Sequence, residues 1–165
     1  MSENPIVPVT FKPIGIIHSP FVDLEGMPIQ PIGEASAPGV VEIYPEFVEG
    51  LKDLDGFSHI YLIYYLHKIR QPKLLVTPFL DDEPHGILAT RSPSRPNAIG
   101  LSLVKLTHIE GNQIHVARLD ILDQTPLLDI KPYVPEFEEL GEVRTGWLTK
   151  AKGKARQQKS DARFK

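Results

Sequence analysis

The sequence predicts a mainly β fold, built as a closed or nearly closed barrel of about eight short strands. Sixteen prolines and twelve glycines are scattered along the 165 residues and interrupt helices repeatedly. Between these turn signals lie short runs of branched and aromatic residues, which are typical of strands. Because the glycines never occur at a G-x-G spacing, the chain lacks the fingerprint of a dinucleotide-binding fold.

The predicted elements follow one another closely along the chain. Residues 45–51 predict the one short helix, because proline opens the segment and suits the first turn of a helix. Residues 57–67 predict the clearest strand, with branched and aromatic side chains throughout. The other predicted strands are 13–18, 40–44, 74–78, 86–90, 99–109, 113–122, 127–131 and 143–148.

The strand over 57–67 has two different faces. Its even positions predict a core face and are largely aliphatic: Ile60, Leu62, Tyr64 and Leu66. Its odd positions predict a second, more specialised surface: Phe57, His59, Tyr61, Ile63, Tyr65 and His67. A strand buried on both sides, with tyrosines at its rim, is the alternative interpretation.

Two apolar runs, 99–109 and 113–122, flank a Glu-Gly-Asn turn and predict a hairpin. His108 and His115 lie symmetrically about that turn and are expected to face each other across it. No third ligand is evident in the sequence, so we interpret the two histidines as an exposed cross-strand pair and predict no metal site.

Composition restricts the chemistry. With 41% hydrophobic and 24% charged residues, the chain predicts one soluble domain. The absence of cysteine excludes disulfides, cysteine-ligated metals and a thiol nucleophile. Residues 1–10 contain Glu3, Pro5 and Pro8 and no apolar run, so they predict a flexible N-terminus, without a signal peptide or membrane anchor, and a cytoplasmic location.

Charge is distributed unevenly, although the net charge is only −3. The residues before position 150 carry a net charge of −9, whereas those from 150 to 165 carry +6. We therefore divide the chain into a barrel domain over 11–148 and a basic tail over 149–165. Such a tail provides either an electrostatic hold on RNA phosphates or a solvated terminus without a partner.

The segment Ala-Thr-Arg-Ser-Pro-Ser-Arg-Pro-Asn over 89–97 places Arg91 and Arg95 on a loop that its prolines keep extended. A rigidly held guanidinium suits bidentate binding of a carboxylate or a phosphate. Gly100 would admit a ligand close to the backbone, where the peptide groups of Leu101 could contact an adenine edge. The alternative is a turn whose arginines pair with neighbouring acids.

A second cluster, over 120–135, combines three aspartates, a lysine and a tyrosine with apolar neighbours. Carboxylates in such surroundings need partners, and a constellation of this kind can hold a general base. For Asp123, an Asx-type turn with Thr125 ahead of Pro126 is the simpler interpretation.

These two segments carry a family resemblance. The motif Ala-Thr-Arg-Ser-Pro-x-Arg-Pro-Asn followed by Ile-Gly-Leu-Ser, together with Thr-Pro-x-x-Asp-Ile-Lys-Pro-Tyr, resembles the TsaA-like or TrmO-like family over about residues 14–135. Those proteins are S-adenosylmethionine-dependent tRNA methyltransferases that act on N6 of threonylcarbamoyladenosine next to the anticodon. The resemblance implies a single-sheeted β-barrel, not a Rossmann fold, working as a homodimer on tRNA.

The resemblance also implies a set of site residues. The cofactor contacts that it implies are Pro31, Ile32, Gly33, His67, Lys68, Arg91, Leu101, Ala117, Arg118, Leu119 and Asp120. Within this set, Arg91 suits the cofactor carboxylate and Asp120 suits its sulfonium. Because the acceptor nitrogen is poorly nucleophilic until its proton leaves, a base is useful, and the candidate catalytic residues are Asp123, Asp129, Lys131 and Tyr133.

Some residues depart from the family pattern. Ala98 stands where the family usually has proline, and Gln124 stands where glycine is frequent. From the resemblance we also expect the extra C-terminal domain of longer relatives to be missing after the barrel. Two further interpretations therefore stay open: a non-catalytic module that binds S-adenosylmethionine or RNA, and a methyltransferase of this fold with a different acceptor.

Overall fold

A computed structural model describes residues 6–25 and 37–151, which contain eight strands. In chain order these are β1 (Gly15–His18), β2 (Gly39–Ile43), β3 (His59–Tyr65), β4 (Leu75–Val76), β5 (His85–Gly86), β6 (Ile99–Glu110), β7 (Gln113–Ala117) and β8 (Thr125–Pro132). Six of them close an antiparallel barrel in the order β1, β2, β7, β6, β3, β8, while β4 and β5 form a separate two-stranded sheet. The predicted mainly β barrel is confirmed.

Strand β3 fixes the inside and the outside of the barrel. Ile60, Leu62 and Tyr64 are buried in the core, whereas the alternate residues are partly or fully exposed on the outer face. The predicted core face is thus confirmed for the strand itself, although Leu66 follows its end. The other barrel strands complete the core with Ile17, Val41, Ile43, Val104, Leu106, Ile114, Val116 and Leu127.

Three predicted strands differ from the structure. The second hairpin strand ends at Ala117, because Arg118 has a φ of 63° and leaves extended geometry. The segment 86–90 supplies only the end of β5 before a 3-10 helix over Ile87–Ala89. No strand forms over 143–148, where Gly146 has a positive φ and a 3-10 helix, Gly146–Ala151, follows.

Helical segments are few and short. The predicted helix over 45–51 is present as a 3-10 helix, Pro45–Leu51, and a second 3-10 turn follows at Leu54–Gly56. One α-helical turn, α1 (Pro135–Glu138), was not predicted. At seven residues or fewer, the helices of the described segments fall far short of a membrane span.

Two predicted segments fall partly outside the described residues. Residues 1–5 of the predicted N-terminal segment and residues 152–165 of the predicted basic tail are not among them. Their roles stay predictions.

Gln124 occupies a left-handed turn just before β8, with a φ of 62°. Because a side chain destabilises this conformation by about 1 kcal/mol, we expect Gln124→Gly to raise the free energy of unfolding by about 0.5 kcal/mol. Gln124→Ala keeps the strained φ and loses the amide contacts to His18 and Asp123, so it should lower stability. Urea unfolding checks both, and equal losses for the two variants would contradict the assignment of strain.

Candidate cofactor-binding site

The arginine-containing loop is held by one of its own arginines. Nη1 of Arg95 donates to the carbonyl oxygen of Thr90 at 2.7 Å and to those of Ile87 and Ser92 at 3.3 Å. Within the described residues Arg95 thus bonds to backbone carbonyls and forms no ion pair, so the alternative of a turn whose arginines pair with neighbouring acids is not seen for Arg95. Its charge-assisted hydrogen bonds hold the curved backbone on which Arg91 lies.

Small polar side chains complete the loop. Thr90, Ser92 and Ser94 are buried, and the Thr90 hydroxyl donates to the carbonyl of Ile87 at 2.9 Å. Oγ of Ser92 is also buried, yet no group of the described residues forms a hydrogen bond with it. Arg91, next in the chain, is exposed. The loop thus presents an exposed cation beside a buried hydroxyl that a ligand could satisfy.

A chain of polar groups links β3, β6 and the loop after β7. The Ser102 hydroxyl donates to Oδ1 of Asp120 at 2.6 Å, and the Tyr64 hydroxyl lies 2.9 Å from Ser102 Oγ. Since Ser102 has one proton to give, Tyr64 donates to Ser102 while Ser102 donates to Asp120. Tyr64 and Ser102 were not among the predicted site residues; the only signal for Tyr64 was a hydroxyl on an otherwise aliphatic face.

Burial dominates the electrostatics of this chain. It raises the pKa of Asp120 to about 7, although the Ser102 hydrogen bond and the charge of Arg91 act in the opposite direction. Burial and the nearby Asp120 also raise the pKa of Tyr64, so the phenol stays protonated. Arg91 therefore lies close enough to act on both groups, and the site contains a cation beside a carboxyl that titrates near neutral pH.

Gly100 leaves space for the ring of Tyr64. It lies opposite Tyr64 across β3 and β6, and a Cβ atom at residue 100 would overlap the Tyr64 ring. The expectation that Gly100 opens the backbone to a ligand is therefore wrong, because the ring already occupies that space. The neighbouring Leu101 is half exposed on the outer face, and it pairs with Ile63 of β3, whereas the pairing of β6 with β7 begins only at Lys105.

The other predicted cofactor residues lie around the same barrel end. Nδ1 of His67 is 3.4 Å from Oγ1 of Thr125, and burial lowers the pKa of His67. Lys68 is exposed beside it. Leu119 is fully buried and its side chain lies over Gly39, so only its backbone could contact a ligand. Ala117 is the last residue of β7, and Arg118 begins the loop that contains Leu119. The predicted Pro31, Ile32 and Gly33 lie outside the described residues.

Asp123 is held within a turn. Its Oδ1 accepts the backbone N–H of Ser19 at 2.9 Å, and its own N–H donates to the carbonyl of Phe21 at 2.7 Å. The hydrogen bond from Ser19 lowers the pKa of Asp123. Thr125 donates to the carbonyl of Leu122 at 2.7 Å. These contacts give Asp123 a structural role, but its carboxylate binds the distant Ser19 N–H, which is a tertiary contact and not the predicted Asx-type turn with Thr125.

The other three candidate catalytic residues share one surface, which we call the outer face of β8. Asp129 and Lys131 form an ion pair at 3.0 Å, and Tyr133 makes edge-to-face contacts with His59 and Tyr61. Asp129 lies opposite Ile63, which in turn lies opposite Leu101. Two strand spacings, about 10 Å, therefore separate the backbones of Asp129 and Leu101.

Residues 16–139 match the family described as the tRNA-methyltransferase O N-terminal domain. The chain belongs to the TrmO family. A relative from Pyrococcus abyssi, named a probable S-adenosyl-L-methionine-binding protein, is 51% identical over 156 residues, which cover 94% of this chain and 85% of that protein. The predicted family resemblance is therefore confirmed.

Two other relatives are longer than this chain. A human tRNA (adenine(37)-N6)-methyltransferase is 35% identical over 134 residues, which cover 77% of this chain but only 30% of the human protein. A crystal structure of TrmO from Pseudomonas aeruginosa has a TM-score of 0.73 and 35% identity, and the match covers 88% of this chain and 63% of that one. The chain thus spans only part of the length of each of these two proteins.

Members of the TrmO family are named S-adenosylmethionine-dependent or tRNA methyltransferases, and S-adenosylmethionine is the cofactor of the family. The described site fits this cofactor, which has a carboxylate, an ammonium group, a sulfonium and an adenine. Arg91 offers a cation, Asp120 an anion once it is ionised, and Ser92 a buried hydroxyl without a partner among the described residues. The predicted cofactor thus agrees with both the family and the chemistry of the site.

Proposed function

We propose that the protein transfers a methyl group from S-adenosylmethionine to N6 of threonylcarbamoyladenosine next to the tRNA anticodon. The observation that carries the proposal is the Arg91 and Asp120 pair, which lies at the barrel end near the outer face of β8. A family relative named for methylation of adenine 37 on N6 supports the choice of acceptor.

Each part of the cofactor has a proposed contact. Arg91 binds the carboxylate through its guanidinium fork, Asp120 faces the sulfonium, and the backbone near Leu101 contacts the adenine. The other proposed contacts surround this core: His67, Lys68, Ala117, Arg118, Leu119, Pro31, Ile32 and Gly33. Since methyl transfer is an in-line displacement, holding donor and acceptor in place supplies most of the acceleration.

The acceptor must lose a proton for the transfer to balance. The N6 nitrogen forms a bond to the methyl carbon, the carbon–sulfur bond breaks towards neutral S-adenosylhomocysteine, and the N6 proton passes to a base. We propose Asp129 as that base, because its carboxylate is half exposed near Leu101 and Lys131 holds it at 3.0 Å. Tyr133 borders the same face and would contact the acceptor. Asp123 would preserve the turn.

Methyl transfer from labelled S-adenosylmethionine to purified tRNA tests the proposed function. We expect label in tRNA that contains threonylcarbamoyladenosine and none in the same tRNA prepared without it. Asp129→Asn should abolish the transfer, whereas the matched Asp123→Asn should mainly lower stability. Binding of the cofactor without transfer to any tRNA would instead indicate a non-catalytic module, and equal transfer to unmodified tRNA would indicate a different acceptor.

Cofactor affinity should depend on pH through Asp120. Because the carboxyl is protonated below about pH 7 and the sulfonium favours its ionised form, we expect the affinity to fall as pH decreases from 7 to 5.5. Well below that pKa, the affinity should fall by about tenfold for each pH unit. Calorimetric titration with S-adenosylmethionine measures it, and Asp120→Asn should bind more weakly at pH 8 with no such pH dependence.

A histidine variant tests whether the pH dependence of the cofactor affinity belongs to Asp120 or to the nearby His67. His67→Gln should retain this pH dependence of the affinity, and its loss in that variant would assign it to His67.

The stability of the protein should depend on Asp120 as well. Because the pKa of Asp120 is raised in the folded protein, the free energy of unfolding of the wild type should fall as the pH rises from about 4 to about 7. Asp120→Asn should therefore be more stable than wild type at pH 8, by on the order of 2 kcal/mol for this partly exposed residue.

We also infer that the protein works as a homodimer. Tyr65, Ile99 and Leu101 are 43–48% exposed on adjacent positions of β3 and β6, and together they form an apolar patch beside the cofactor site. Light scattering should give twice the chain mass of 18.5 kDa, and Ile99→Glu should give a monomer. A monomeric wild type at micromolar concentration would exclude the dimer. A cytoplasmic location is consistent with a tRNA substrate.

A further inference from the structure

We propose that the outer side of the β6–β7 hairpin binds a divalent transition-metal ion through His108, His115 and Glu110. The proposal rests on the structure of the hairpin and is independent of the proposed methyl transfer. In the sequence the two histidines had no third ligand; the fold supplies it, because one nitrogen of each histidine and one carboxylate oxygen of Glu110 lie within 4.8 Å of one another.

Strand register explains the convergence. His108 lies opposite His115 in the β6–β7 pair, and Glu110 is two residues after His108, so the three side chains emerge on one face of the hairpin. A register shift between Leu106 and His108 interrupts the regular ladder next to the site. Side chains spaced in this way on paired strands need no loop to bring them together.

The backbone beneath the cluster is fixed. Gly111 adopts the left-handed φ of 61° that the tight turn needs. Asn112 then ties the turn to β2, since its side-chain Nδ2 donates to the carbonyl of Ile43 at 2.9 Å and its own carbonyl accepts from the Ile43 N–H at 2.8 Å. A rigid platform of this kind lowers the entropy lost on binding an ion.

One nitrogen atom of the cluster lacks a partner in the protein. Nε2 of His115 is buried and has no hydrogen-bond partner in the described part of the chain. Nδ1 of His108 lies 3.4 Å from Oγ1 of Thr107, and because that hydroxyl donates to the carbonyl of His115, Nδ1 of His108 acts as the donor to it. This tautomer leaves the lone pair of the His108 ring on Nε2. The two imidazole rings stack at 4.1 Å, so their lone pairs are not directed at each other. An ion would give Nε2 of His115 a partner.

Imidazole nitrogen with carboxylate oxygen is a donor set that Zn²⁺ and related ions favour, and that Mg²⁺ and Ca²⁺ do not. Metal–ligand distances of about 2.1 Å would bring the donor atoms to about 3.4 Å from one another. The two rings must tilt from their parallel stack for this, and the exposure of His108 leaves room for that rotation. Water would fill the remaining position.

The proposed metal site is separate from the cofactor site. Along β6, His108 is the seventh residue after Leu101, a distance of about 24 Å in a strand. The ion would therefore link the two strands of the hairpin end without contacting S-adenosylmethionine.

Zinc titration of the full-length protein tests the proposal. We expect calorimetry with ZnCl₂ to show one site per chain of micromolar affinity, unaffected by millimolar Mg²⁺. His108→Ala, His115→Ala and Glu110→Gln should each weaken binding by about tenfold or more. Co²⁺ should give the visible absorption of a four- or five-coordinate ion in the wild type and lose it in the histidine variants.

His18→Ala is the matched control, because His18 pairs with one carboxylate, Glu42, at 2.8 Å but belongs to no cluster of three ligands in the described part of the chain. It should retain wild-type zinc affinity. Zinc should also raise the melting temperature of the wild type and of His18→Ala, and at the same zinc concentration it should raise that of a folded Glu110→Gln variant by less. Equal zinc affinity in the wild type and in the three cluster variants, or no binding below millimolar zinc, would overturn the proposal.

Discussion

Arg91→Ala should weaken S-adenosylmethionine binding by about 100-fold while leaving the fold intact. A bidentate guanidinium–carboxylate contact is worth about 3 kcal/mol in a partly enclosed site, and the exposed side chain of Arg91 contributes little to packing. Arg91→Lys should be almost as weak, since an ammonium cannot reproduce the fork. Calorimetric titration with S-adenosylmethionine measures the affinity, and circular dichroism confirms folding.

Arg95→Ala provides the contrast in the same loop. Because Arg95 binds three backbone carbonyls of its own loop, its removal should lower the melting temperature and weaken cofactor binding only through disorder of the loop. Arg144→Ala, on an exposed segment after α1, should change neither quantity. Wild-type affinity in a folded Arg91→Ala protein would remove Arg91 from the site.

Gly100→Ala should reduce the free energy of unfolding by about 3 kcal/mol, because the new methyl group overlaps the buried Tyr64 ring. Displacing the ring also separates its hydroxyl from Ser102, so cofactor binding should decrease with stability. Urea denaturation measures the loss. Gly86→Ala is the matched control, since no atom lies within 4 Å of a Cβ there and its φ is −59°.

A double-mutant cycle isolates the overlap. In a Tyr64→Val background the ring is absent, so Gly100→Ala should cost less than about 1 kcal/mol, giving a coupling energy of about 2 kcal/mol. An unchanged cost in that background would show that the glycine is required for another reason.

Local patterns were enough to predict much of the fold. Alternation along β3 assigned Ile60 and Leu62 to the core, and the Glu-Gly-Asn turn located the β6–β7 hairpin. The end of β7 was not predicted correctly, because Arg118 adopts a left-handed φ that is uncommon for an arginine. A strand was also predicted over 143–148, but no neighbouring strand pairs with that segment among the described residues.

The candidate site was predicted less completely, because its key contacts join distant parts of the chain. The motif identified Arg91, but nothing local distinguished it from Arg95, whose partners are backbone carbonyls of a curve that only the folded loop creates. The sequence also did not predict the hydrogen-bonded chain of Tyr64, Ser102 and Asp120, because its three members come from separate segments. Glu110 needed the strand register to join the two histidines.

Mass spectrometry of tRNA nucleosides after reaction with S-adenosylmethionine tests the central claim most directly. The proposed function predicts that threonylcarbamoyladenosine disappears and that its N6-methyl derivative, about 14 mass units heavier, replaces it, with Asp129→Asn leaving the nucleoside unchanged. A methyl group found on any other nucleoside, or no methylated product despite bound cofactor, would contradict the claim.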